Sequence, residues 1–172
     1  MKIREDFKSD EEFYFYLWLK EAEDNGLICG VAYEPTSYEL CPRAAVTYDK
    51  QIKTKVKNVE KFLFYNHEYT PDFIFIINDQ RLTEYFVAPK YLGKLAVTVD
   101  VKGTFHKHND GRAFSMNQKW MWVRFGIYVE KIVPKKMFKD IWVPDALRFT
   151  PSQGKPAAIA CGCKTIDEFM GR

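Results

Sequence analysis

The residues best suited to chemistry are an aspartate at the start of one β-favouring run and an aspartate-x-lysine set on another. The first is Asp72, in Tyr69-Thr70-Pro71-Asp72-Phe73. The second set is Asp100 and Lys102, in Val99-Asp100-Val101-Lys102-Gly103. Residues two apart in a strand share a face, so Asp100 and Lys102 point together while Val99 and Val101 enter the opposite layer. With Asp72 on the neighbouring strand, two carboxylates and one ammonium converge. Carboxylates that close repel, and the usual resolution is a hard divalent cation with oxygen ligands, Mg²⁺ or Mn²⁺. Such a cation activates water and stabilises charge on a phosphodiester. A lysine beside it orients or deprotonates the attacking water and neutralises the pentacovalent phosphate. Read as structure alone, Asp72 is a turn residue and Asp100–Lys102 a solvent-facing ion pair. Each half is common by itself, and their combination with β-runs in both places is much rarer.

Other candidates are less specific. Lys53, Lys55 and Lys57 fall two apart, which places them on one face of an extended segment, either a solvated stripe or a contact to a DNA backbone. His106-Lys107-His108 follows the second acidic strand and could touch phosphate or a metal, although a loop histidine pair is more often solvated. Trp120 and Trp122 read as core. Cys161-Gly162-Cys163 lacks the CxxC or Cys/His partners of a zinc site. No Gly-rich phosphate loop, nucleophilic Ser/His/Asp set or dinucleotide fingerprint is present.

The elements that must position these residues follow from local pattern. Ser9-Asp10-Glu11-Glu12 is a capping-box sequence and predicts a helix to about Asn25, with Gly26 just past its end. Phe13 to Leu19 is apolar or aromatic throughout, so this helix is greasy on every side and must either dimerise or be sandwiched within one domain. Strands are expected over 27–33, 38–48 (interrupted by Pro42), 73–77, 85–87 and 95–102, and again over 127–133. The stretch 50–60 is polar and basic, and 62–65 apolar. A loop is expected over 104–111. A helix over 114–125 should have Phe114, Met121, Trp122 and Phe125 on one side. A basic patch of Lys131, Lys135, Lys136 and Lys139 follows, and 165–170 is a short terminal helix or turn. Strands interleaved with two long helices predict a mixed α/β chain.

Length and composition bound the rest. At 172 residues, 47% hydrophobic and 28% charged, the chain is expected to be a single domain over 1–172 and not a disordered one. No apolar run approaches the ~20 residues of a membrane helix. The first residues carry acids and no apolar core of a secretory signal, so a cytoplasmic protein with reduced thiols is expected. The net charge of +3 is compatible with a polyanionic partner but does not require one.

Pro71-Asp72 followed by Asp100-Val101-Lys102 resembles the PD-(D/E)xK nuclease signature. The phrasing Ser9…Glu12, Tyr69-Thr70-Pro71-Asp72-Phe73, Asp100-Val101-Lys102-Gly103 is similar to the bacteriophage endonuclease I type of Holliday junction resolvase, with the transposon-end nucleases of the TnsA kind as near relatives. The resemblance covers about the first 125 residues. It implies a restriction-endonuclease-like core, a mixed central β-sheet flanked by helices, over about 9–133, with 134–172 as a C-terminal extension. It makes Asp72 and Asp100 metal ligands with the Val101 carbonyl, Lys102 the catalytic lysine, and Glu12 a helix-borne acid near a second metal, Glu11 being the fallback. Glu12 as a pure capping residue is the competing reading. The resemblance places Gln118 and Lys119 where related nucleases present a polar side chain to the site. It also implies a homodimer acting on DNA, most fittingly a four-way junction that needs two cuts. A nuclease of linear duplex DNA, restriction-like or transposon-end, is the alternative, and a non-cutting DNA-binding or assembly protein on the same scaffold is the alternative of another class. Two departures stand out. The segment between Asp72 and Asp100 is longer than in the phage enzymes, implying an inserted hairpin or loop over 78–94, and the third motif position is Asp where Glu is an option.

Overall fold

The computed structural model describes residues 2–103, 108–150 and 153–172. The first helix, α1 (Asp10–Asp24), starts where the capping sequence says it should: Ser9 Oγ accepts from the Glu12 N–H at 3.2 Å, and three acids in the first turn face the positive end of the helix dipole. Then come β1 (Ile28–Tyr33), β2 (Tyr38–Cys41), β3 (Ala44–Ile52), β4 (Lys55–Phe64), β5 (His67–Tyr69) and β6 (Phe73–Ile77). Two short helices, α2 (Gln80–Thr83) and α3 (Val87–Leu92), lead to β7 (Ala96–Val101). After them lie α4 (His108–Phe125), β8 (Val129–Ile132), α5 (Pro134–Asp140) and α6 (Ile166–Met170).

Four strands form the central sheet in the order β1-β6-β7-β8. β6 is antiparallel to both of its neighbours, whereas β7 and β8 run parallel, with α4 as the crossover that a parallel pair requires. The molecule is therefore an α/β protein with a mixed central sheet flanked by helices. Two further antiparallel pairs, β2–β5 and β3–β4, stand apart from it.

Strict alternation divides the central sheet into two faces. Phe73, Phe75 and Ile77 of β6 and Val97, Val99 and Val101 of β7 enter the main core with Phe15, Trp18 and Leu19 of α1. The other face packs a smaller core of Leu40, Tyr69, Phe114, Met121 and Val129, under α4 and the β2–β5 pair. A bulge in β1 matters to both. Gly30 sits at φ +67°, a conformation glycine adopts freely, and the register to β6 slips by one residue between Cys29 and Ala32. Tyr33 is thereby turned onto the main-core face, opposite Phe73, where its ring packs 5.1 Å from the Phe73 ring centroid. Without the extra residue it would point the other way.

The helix that is greasy on every side is enclosed by its own chain. The sheet covers one side of α1. The C-terminal segment covers the other: Phe138, Ile141, Trp142, Val143 and Ile166 are all buried in the same core, and Trp142 packs 4.9 Å from Trp18. Glu21 anchors this segment, accepting from Trp142 Nε1 at 2.8 Å and from the Asp145 N–H at 3.1 Å. Of the two fates open to α1, the sandwich is the one found, and the last residues of the chain are what makes it possible.

Several expectations are corrected. The strand expected over 38–48 is two strands in two different sheets, separated at Pro42. The basic stretch 50–60 and the apolar 62–65 belong to one long hairpin, β3–β4. The edge strand expected at 85–87 is instead a turn and the start of α3, and the hairpin or loop expected over 78–94 contains α2 and α3. Pro89 lies in the first turn of α3, where its missing N–H costs nothing, and the buried Glu130 carboxylate of β8 accepts from the Ala88 N–H at 3.0 Å. The helix expected from 114 begins at His108. Its expected apolar side divides: Phe114 and Met121 are buried, while Trp122 and Phe125 are exposed, as is Trp120. No helix among the described residues is long and apolar enough to cross a membrane.

Because Trp142 is fully buried against α1, Trp142→Ala is expected to destabilise the fold by about 3–5 kcal/mol. Chemical denaturation followed by far-UV circular dichroism measures this. A loss below about 1 kcal/mol would mean that the C-terminal segment is not part of the core.

Candidate active site

The antiparallel register of β6 and β7 builds the site. Phe73 pairs with Val99, so one step outward Asp72 stands opposite Asp100, and opposed residues share a face. Asp72 Oδ2 accepts from the Val101 N–H at 2.6 Å, tying the carboxylate to the facing strand. Asp100 is 4% exposed, and the Lys102 ammonium lies 2.6 Å from its Oδ2. Lys102 is held through its own backbone, whose N–H donates to the Ile132 carbonyl of the β8 edge at 2.7 Å. The structure thus brings together Asp72, Asp100 and Lys102.

Burial first, and after it the charge of Asp100, push the Asp72 carboxyl up to about 7. The Val101 N–H and the Lys102 ammonium oppose the rise, and Glu12 adds to it. Tyr69, buried on the same side, has its hydroxyl pushed above the ordinary phenol value by desolvation and by Asp100, so it stays neutral beside the carboxylates. Two carboxyl groups with one paired ammonium, Lys102, and a neutral phenol beside them offer the oxygen donors that a hard cation takes.

Glu12 is buried but occupied. Its Oε2 accepts from Tyr33 Oη at 2.9 Å and from the Lys8 N–H at 3.2 Å, and its Oε1 accepts from Ser9 Oγ at 3.0 Å. This is the work of a capping residue. Among the described residues no three His, Cys, Asp or Glu converge to hold a metal, so Glu12 does not join Asp72 and Asp100 in one ligand cluster. In this structure Glu12 is held at the helix start and acts on Asp72 as a buried charge from a distance. Glu11 reaches the end of β7 instead: a Cβ at Gly103 would meet its Oε1 at 3.4 Å. Val101 contributes its N–H to Asp72.

The remaining candidates are dispersed. Lys53 is in the turn between β3 and β4, at φ +48°, and so leaves the stripe expected of it, while Lys55 and Lys57 share a face of β4 away from the central sheet. Lys119 lines a shallow cleft with Val87, Trp122 and Tyr128, toward the start of β8, whereas Asp100 pairs near its end. Gln118 is used structurally, its Nε2 donating to the Val129 carbonyl at 2.7 Å. His106 lies outside the described residues. All four cysteines are free thiols.

Two residues at the site were not singled out by their sequence. Tyr69 lies within the Tyr-Thr-Pro-Asp motif, and nothing local distinguishes a tyrosine beside the site from one in the core. Lys131 was read as one lysine of a basic patch, yet the parallel register of β7 and β8 sets it beside Asp100, with its Nζ 5.8 Å from the Phe114 ring centroid. Only the strand order reveals this. Comparison with protein families, with curated proteins and with solved structures finds no match.

The raised Asp72 carboxyl has a consequence for stability. The unfolded chain releases this proton near 3.8, while the native protein keeps it up to about 7. The associated stability is fully present below 3.8 and is lost as pH rises to about 7. In chelator at pH 8, Asp72→Asn is therefore expected to be more stable than the parent by about 1 kcal/mol or more, with the advantage gone near pH 4. Urea denaturation at both pH values checks this, and equal stability at pH 8 would contradict the burial and repulsion that raise the Asp72 carboxyl.

Proposed function

We propose that the protein is a metal-dependent DNA endonuclease that hydrolyses phosphodiester bonds, with branched DNA such as a four-way junction as its substrate. The observation that carries the reading is the juxtaposition of Asp72 and Asp100 on one face at the end of two paired strands, with Lys102 2.6 Å from Asp100. The element order α1-β1-β6-β7-α4-β8 also supports it, because a helix, three antiparallel strands, a crossover helix and a parallel fourth strand are what a restriction-endonuclease-like core would need to carry a PD-(D/E)xK site.

Asp72, Asp100 and the Val101 carbonyl would hold Mg²⁺ or Mn²⁺, which when bound supplies Lewis-acid stabilisation of the phosphate and a more acidic water. The chain's own residues do the rest. Asp72, kept in place by the Val101 N–H, must be ionised to serve. Lys102 places a positive charge where charge develops on the scissile phosphate, and Asp100 fixes its ammonium. Tyr69 stays a neutral hydrogen-bond donor. Junction resolution needs two cuts, so the proposed working form is a homodimer with two such sites. The free thiols suit a cytoplasmic setting.

The test is cleavage of a labelled four-way junction and of linear duplex of the same sequence, with Mg²⁺. Asp72→Asn, Asp100→Asn and Lys102→Ala are each expected to lower cutting by about 100-fold or more while junction binding survives. Full activity in any of the three removes the assignment. Preferential cutting of the linear duplex would leave the chemistry intact and move the substrate to the restriction-like alternative.

A further inference from the structure

The β3–β4 hairpin is the largest feature that the active site does not use. Its strands are nine and ten residues long, and it contributes nothing to either hydrophobic core. Such a strand spans about 30 Å. Its register sorts charge by face. Lys50 pairs with Lys57, Ile52 with Lys55 and Val46 with Lys61, so four lysines share one face, with Tyr48 and Val59 between them and no carboxylate. The opposite face takes both acids of the ribbon: Asp49 accepts from Asn58 Nδ2 at 3.0 Å, and Glu60 lies 3.3 Å from Arg43. Among the described residues none of the four lysines is in an ion pair.

This arrangement is unfavourable for the protein alone. An isolated two-stranded ribbon is marginal in water, and like charges directly opposite, as at Lys50 and Lys57, weaken it further. Moving one acid to the other face would have relieved the repulsion. We propose that the lysine face of this ribbon is a nucleic-acid-binding arm that seats along the phosphates of duplex DNA. A two-stranded ribbon fits the major groove of B-form DNA, about 12 Å wide, and the lysines bind by releasing condensed counterions. The deep, narrow major groove of A-form RNA does not admit it. A second copy of this chain is a poor occupant, because a two-fold contact would set four lysines against four. The arm acts through the charge and the shape of the ribbon and does not rest on the nuclease reading.

The test is anisotropy of a labelled DNA duplex in chelator, titrated from about 50 to about 200 mM salt. Lys50→Gln/Lys57→Gln/Lys61→Gln is expected to weaken binding by about tenfold or more at low salt and to flatten the log–log salt slope by about three. The triple Lys→Arg variant should bind like the parent, as should Asp49→Asn/Glu60→Gln on the opposite face. Unchanged affinity and slope in the Gln variant would overturn the proposal. So would equal binding of an RNA duplex, or a Gln variant whose only change is loss of a dimer in sedimentation. The assay is run in chelator and reads binding alone, so failure of the arm and failure of the metal-dependent centre give separate results.

Discussion

The structure turns on a single pairing, β6 against β7, which sets two carboxylates opposite each other at the end of a buried sheet. Asp72 and Asp100 belong to segments that the sequence separates by α2 and α3, and only the Phe73–Val99 register makes them neighbours. Same-sign charges out of water disfavour one another, and the protein answers with the Val101 N–H on one and the Lys102 ammonium on the other. The answer is incomplete, as the raised Asp72 carboxyl shows. That residual cost is what the proposed cation would relieve.

The rest of the molecule packs around that pairing. On one side of the sheet, α1 is clamped by the C-terminal segment through Trp18 and Trp142, so the strands that carry the acids have a dry layer behind them. The bulge at Gly30 directs Tyr33 to the same side, and its hydroxyl fixes Glu12 at the helix start. Capping, bulge and core packing thus meet at the residue whose charge Asp72 feels. On the other side the smaller core under α4 leaves room at the sheet end for the Lys102 side chain, which stays 26% exposed while Asp100 is closed off.

Much of this was legible in the sequence because it is local. The Ser9 cap, the continuous Phe73–Ile77 run and the alternation through Val97, Val99 and Val101 each require only a few neighbouring residues. The pair Asp100 and Lys102 could be placed on one face for the same reason. What escaped was non-local. Whether Glu12 caps or ligates depends on Tyr33 arriving across a bulge. The enclosure of α1 depends on Trp142, far along the chain. Lys131 comes beside Asp100 only through a parallel register, and the helix at 87–92 starts against an acceptor, Glu130, that lies far along the chain. The lysine stripe was read along one strand, whereas its meaning lies across two.

The claim at the centre is that Asp72 and Asp100 form one cation site. Titration calorimetry of Mn²⁺ into the protein at pH 8, repeated with Asp72→Asn and with Asp100→Asn, measures it directly. Saturable binding in the parent and a loss of affinity of about tenfold or more in each variant are expected. Parent-like binding in both variants, or no binding in the parent, would contradict it.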